Sequence, residues 1–132
     1  MDKLLEKALE AREMAYAPYS GFRVGAALET ESGEIFSAAN LENASLGLSV
    51  CAERNAVARA VHSGQRRFTR IAISSDAPFG VPPCGACRQV LQEFAEDLEI
   101  LLIDEDGSAR SYRLKELLPA PFTPEQLREA GE

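Results

Sequence analysis

The chain has 132 residues, 45% of them apolar and 27% charged, with a net charge of −7. That length suits one domain with a core of its own. The acidity argues against nucleic acid, which needs clustered Lys and Arg, and no stretch approaches the roughly 20 apolar residues that span a bilayer.

Residues 3 to 15 place Leu4, Leu5, Ala8, Leu9 and Ala15 near helical spacing, which predicts an amphipathic helix ended by Ala17-Pro18-Tyr19-Ser20-Gly21. Residues 23 to 29 alternate as a strand, with Val24, Ala26 and Leu28 on one face. Glu31-Ser32-Gly33 turns the chain into a second strand over 34–38. The connection 39–50 is long and rich in Asn, Ser and Gly, and loops of that length are often functional.

A helix over 51–64 follows, with Ala56, Val57, Ala60 and Val61 as its buried stripe and Gly64 as its stop. Ile71 to Ser75 reads as a strand. Pro78, Gly80, Pro82 and Pro83 mark a loop, and a helix over 85–97 carries Val90, Leu91 and Phe94. The unbroken run Ile100-Leu101-Leu102-Ile103 suits a strand buried on both faces. Residues 104 to 108 are too few for a parallel crossover, so the next strand, 109–114, pairs antiparallel with it. Thr123-Pro124-Glu125-Gln126 has the signature of a helix start.

These elements predict a three-layer α/β/α domain with a mixed five-stranded sheet. The hairpin and the long connection would bring the starts of both later helices to one sheet edge, where ligands bind in open α/β sheets. All three cysteines fall there, in Cys51-Ala52-Glu53-Arg54 and in Pro83-Cys84-Gly85-Ala86-Cys87-Arg88. Cys84 and Cys87, spaced i, i+3, share a helix face. Zinc favours such sulfur ligands, and a catalytic zinc keeps one position for water. Three thiolates leave the site with a negative charge, which Arg54 is placed to offset.

An odd cysteine count does not suit a disulfide framework, and Met1-Asp2-Lys3 begins no signal peptide, so a reducing cytoplasm is the expected setting. His62 lies eleven residues along the helix from Cys51, about 16 Å away, and cannot complete the cluster. Glu53 is the natural base for an activated water, on the condition that Cys51 stands at or just before the first helical residue. Otherwise an i, i+2 spacing turns the two about 200° apart. Taken alone, Cys84 and Cys87 would equally describe half a structural zinc site or a redox pair.

The pattern Cys51-x-Glu53 with Pro83-Cys84-x-x-Cys87 resembles the cytidine deaminase family, in its small homotetrameric form. The resemblance extends through Tyr16–Ser20, Phe22–Leu28, Asn40–Ser45, Cys84–Val90 and Leu117-Leu118-Pro119. It implies zinc on Cys51, Cys84 and Cys87, with Glu53 as proton shuttle in the hydrolytic deamination of a small nucleoside. Phe22 would pack on the pyrimidine, Asn40 and Glu42 would bind the ribose, and Ala52 backbone would bind the base carbonyl. Phe122 would reach a neighbouring subunit's site. Leu46 departs from the aromatic residue usual in the family. Two other readings stand beside this one: the same chemistry on nucleic acid or on a nucleoside-like antibiotic, and a noncatalytic zinc-binding module.

Overall fold

A tight hairpin opens the sheet: β1 (Val24–Thr30) pairs antiparallel with β2 (Ile35–Ala39) in the register Ala26↔Ala38 and Leu28↔Phe36. The computed structural model describes residues 1–131. β3 (Phe68–Ser75) lies antiparallel on the other side of β1, β4 (Glu99–Ile103) runs parallel to β3, and β5 (Ala109–Arg113) pairs antiparallel with β4. The strand order is β2-β1-β3-β4-β5, so the sheet is mixed and the last pair is antiparallel as expected.

Helices cover both faces. On one side α2 (Ala52–His62) and α3 (Gly85–Gln92) bury Ala56, Val57, Ala60 and Leu91 against Ala26, Leu28, Ile71, Ile73, Ile100 and Leu102. On the other, α1 (Lys3–Arg12) lays Leu4 and Ala8 on Ala27, Ala72 and Ile103. The consecutive residues Ala26 and Ala27 thus enter different cores, as alternate residues of a strand covered on both faces must. At Gly25 the approach is closest: a Cβ there would stand 2.2 Å from the Ala8 carbonyl oxygen.

The boundaries differ from the periodicity in a few places. α1 stops at Arg12 rather than residue 15: Arg12 still lies over the sheet, against Gly25 and donating to the Ser75 carbonyl, but Met14 is exposed, and the Tyr16 backbone pairs instead with the 40–42 segment. α3 stops at Gln92 rather than residue 97. Its last turn tightens as Glu93 and Phe94 donate to Val90 and Leu91 carbonyls, and Phe94 packs on Phe68 with ring centroids 5.3 Å apart. β3 begins three residues early, at Phe68, pairing with Thr30 across a bulge.

Two further helices close the chain. α4 (Leu114–Leu117) is too short for periodicity to reveal and is capped by Glu116, which accepts from the Arg113 N–H. α5 (Pro124–Gly131) starts as expected, with Thr123 and Gln126 exchanging side-chain-to-backbone hydrogen bonds. No described helix is long and apolar enough to cross a membrane.

The topology fixes one edge. β2 and β3 both run antiparallel to β1, so their C-terminal ends lie together, and α2 and α3 start from there. The start of β1 lies at the same edge, bringing Phe22 and Val24 close to both helix N-termini.

Candidate active site

Cys51 and Cys84 occupy equivalent positions. Each is the N-cap of its helix, with extended backbone (φ −68°, ψ 154° and φ −67°, ψ 169°), and neither side chain caps its own helix. Both sulfurs are therefore free to turn outward beside first-turn N–H groups that lack intrahelical acceptors. Cys87 follows one turn into α3 and is buried.

The sulfurs converge. Cys51 Sγ stands 3.9 Å from Cys84 Sγ, and Cys84 Sγ stands 3.4 Å from Cys87 Sγ. All three lie within 4.8 Å of one another, with no fourth His, Cys, Asp or Glu in the group among the described residues. A tetrahedral zinc with sulfur ligands at about 2.3 Å would space them roughly 3.8 Å apart, so the donor set fits zinc with one vertex left over. Arg54 Nη2 donates to Cys51 Sγ at 3.7 Å. Hydrogen bonding from Cys87, then Arg54 and Cys84, holds the Cys51 thiol down at about 5, while its contact with Cys51 and its burial push the Cys87 thiol up.

The condition on Glu53 is met. With Cys51 at the cap in extended conformation, the helical 200° offset does not apply, and Glu53 lines the same cavity as Cys51 and Cys84. It is only 5% exposed. Burial first, and then the nearby Cys51 charge, pushes its carboxyl up to about 7. A carboxyl poised near neutrality suits a group that must take and return a proton.

The cavity above this cluster holds about 320 Å³ and is lined by Phe22, Val24, Asn40, Glu42, Ala52, Ile73 and Val81, among others. A larger cleft of about 620 Å³ lies on the α1 side, beside Arg12, Asp76 and Asp104, but none of the three thiols lines it. The smaller cavity is where the chemistry-bearing groups meet.

Asn40 and Glu42 line the cavity and also secure its rim. Asn40 Oδ1 accepts from Val24 N–H at 2.9 Å, and its Nδ2 donates to the Phe22 carbonyl at 2.9 Å. Glu42 Oε1 accepts from the Tyr19 and Ser20 N–H groups at 3.0 and 3.1 Å, and Oε2 from Ser20 Oγ at 2.5 Å. These bonds, the Ser20 hydroxyl foremost, keep the Glu42 carboxyl below its usual range. The 39–50 connection is itself pinned, with Leu41 bridging Tyr16 on one side and Val50 on the other.

Phe122 lies apart from the cavity of its own chain, 55% exposed, its carbonyl accepting from Gln89 Nε2. Leu46 is likewise exposed, in a short 3₁₀ turn over Leu46–Leu48. Ser20, Ile73, Val81 and Pro82 line the cavity although spacing gave them no role. Ser20 stood inside a recognised segment, but the apolar wall at 81–82 carries no chemical signature.

The chain is similar to known proteins over most of its length. The family model described as "Cytidine and deoxycytidylate deaminase zinc-binding region" matches residues 1–101. A cytidine deaminase of Halalkalibacterium halodurans is 45% identical over 127 residues, covering 96% of both chains. One from Sporosarcina psychrophila is 41% identical over 133 residues, covering 100% of this chain and 98% of its own. The crystal structure of cytidine deaminase from Burkholderia pseudomallei superposes with a TM-score of 0.86 at 46% identity, covering 91% of this chain and 97% of that one.

Proposed function

The chain belongs to the family of zinc-binding cytidine and deoxycytidylate deaminases, and we propose that it hydrolyses the C4–N bond of free cytidine and 2′-deoxycytidine, releasing ammonia and uridine or 2′-deoxyuridine. The observation that carries this reading is the meeting of three sulfurs from two helix N-termini beside one buried carboxyl. Cys51, Cys84 and Cys87 would hold the zinc. Bound there, the ion supplies a Lewis acid that makes water acidic enough to be deprotonated near neutral pH.

The chain's own residues do the rest. Glu53 takes a proton from the attacking water and delivers it to N3 of the pyrimidine. The C4–O bond forms, Glu53 takes the remaining proton from the new C4 hydroxyl and passes it to the amino nitrogen, and the C4–N bond breaks as the C4 carbonyl forms and ammonia leaves. Arg54 offsets the thiolate charge through Cys51. Phe22 packs on the base, the free N–H at the start of α2 near Ala52 meets the base carbonyl, and Asn40 and Glu42 take the sugar. An ionised Glu42 in the cavity favours a nucleoside with a free 3′-hydroxyl over a 3′-phosphorylated chain, because like charges repel.

The exposed Phe122, lying outside its own chain's cavity, supports a site completed by a neighbouring copy in a homotetramer. We propose a role in pyrimidine salvage in the cytoplasm, a reading that a free-nucleoside substrate supports.

The test is an ultraviolet assay of purified protein with cytidine, before and after chelation, alongside Glu53→Gln. Chelation should stop turnover. The substitution keeps the shape and removes the base, and proton transfer alone is worth roughly 100- to 10,000-fold. Near-normal turnover in E53Q would overturn the mechanism. Deamination of an oligonucleotide but not of cytidine would overturn the substrate class.

A further inference from the structure

We propose that Ser20 is a specificity-determining positioning residue, whose hydroxyl fixes the Glu42 carboxylate in the one orientation that accepts the substrate's 3′-hydroxyl. This rests on the sugar-binding role proposed above for Glu42.

The bonds around Glu42 leave little freedom. A carboxylate offers about four acceptor positions, two on each oxygen. The two on Oε1 are occupied by the Tyr19 and Ser20 N–H groups. On Oε2, Ser20 Oγ takes one at 2.5 Å. A single position on Oε2 therefore remains for a ligand, and its direction is set by where the Ser20 hydroxyl stands.

That hydroxyl is itself fixed. Its one hydrogen goes to Glu42, and its oxygen accepts from the Phe22 N–H at 3.0 Å. Ser20 thus has no hydrogen left for substrate, although it lines the cavity with Glu42 and Phe22. It acts through Glu42. The same oxygen ties that carboxylate to the backbone of Phe22, so the proposed sugar acceptor and the residue proposed to pack on the base are joined by one side chain. Without the hydroxyl, Oε2 is released to water, and the two substrate contacts are no longer set relative to one another.

The experiment compares kcat/KM for cytidine with kcat/KM for 3′-deoxycytidine in wild type, Ser20→Ala, Ser20→Thr and Glu42→Gln, with bound zinc and unfolding midpoint measured for each. Hydrogen bonds to charged groups are worth enough to shift affinity about tenfold. The cytidine-to-3′-deoxycytidine ratio should fall about tenfold in S20A, return to within about threefold of wild type in S20T, and fall at least as far in E42Q. If E42Q lowers the ratio and S20A leaves it unchanged, Ser20 does not position the acceptor and the inference fails while the sugar role of Glu42 stands. If S20A lowers kcat/KM equally for both substrates, Ser20 is only a structural support of the loop, and the inference again fails. If E42Q leaves the ratio unchanged, the sugar-binding reading fails and takes this inference with it.

Discussion

Glu53→Gln should stabilise the zinc-free protein while removing its activity, and the size of the effect follows from where the carboxyl is held. Burial raises it from 4.5 to about 7. At about 1.4 kcal/mol per pH unit, this caps the cost of ionising it in the fold at about 3 kcal/mol. Below pH 4.5 the carboxyl is protonated in both folded and unfolded chains and costs nothing. Between 4.5 and 7 the unfolded chain gives up the proton while the folded one keeps it. Wild-type stability therefore falls as pH rises through that window, and the shortfall is complete above about 7. Glutamine has no such proton. Urea unfolding of chelated wild type and E53Q at pH 5 and pH 8 should show the mutant's advantage growing with pH by up to about 3 kcal/mol. Parallel stability profiles for the two chelated proteins would refute the account of Glu53 as a strained, buried acid.

Cys84→Ala should leave less than one zinc per chain after dialysis, measured by metal analysis, because its sulfur lies beside both of the others. Gly80→Ala would set a Cβ 2.6 Å from that of Leu102 and push out the loop that carries Val81 and Pro82. Misplaced substrate walls are costly, so kcat/KM should fall about tenfold or more in a steady-state assay. Gly25→Ala meets α1 backbone instead, which cannot swivel aside, and should cost about 3 kcal/mol in urea unfolding. Asp76 accepts from both the backbone and the side chain of Arg23, which holds its carboxyl below 3.8. The pair's small contribution should therefore be present at neutral pH and vanish as pH drops through that lowered value. Comparing wild type with Asp76→Asn across acid pH measures it.

The thiol cluster was legible because it depends on local order and on topology, both of which leave marks in sequence. Cap position, helix periodicity and the short hairpin were enough to bring Cys51, Cys84 and Cys87 to one edge. The hairpin and the antiparallel pairing of the last two strands followed from the shortness of their connections, whereas the order of the strands across the sheet did not. What stayed hidden was set by contacts between distant segments. Nothing in residues 13 to 15 shows that the Tyr16 backbone pairs with the 40–42 segment in place of continuing α1. Nothing near Phe94 announces that it turns onto Phe68, twenty-six residues earlier, in place of one more helical turn. The cavity wall at Val81 and Pro82 is ordinary apolar chain whose role comes from the Gly80 anchor on Asp104, whose Oδ1 accepts the Gly80 N–H at 2.7 Å.

The polar residues of the cavity make a similar point about how function and fold share atoms. Asn40 and Glu42 have chemistry suited to a diol, yet Asn40 spends one bond from each polar atom on the backbone of Phe22 and Val24. Glu42 spends three acceptor positions on Tyr19 and Ser20. Loop support and ligand binding are therefore not competing explanations for these side chains. A group already saturated on one side has few orientations left, so the vacant position on the other side is aimed before the ligand arrives. Ordering is completed during folding, and less entropy remains to be lost on binding. The same logic explains the position of Cys51 and Cys84 as N-caps: each sulfur is released from capping its own helix, and the rigid start of that helix aims it at the other.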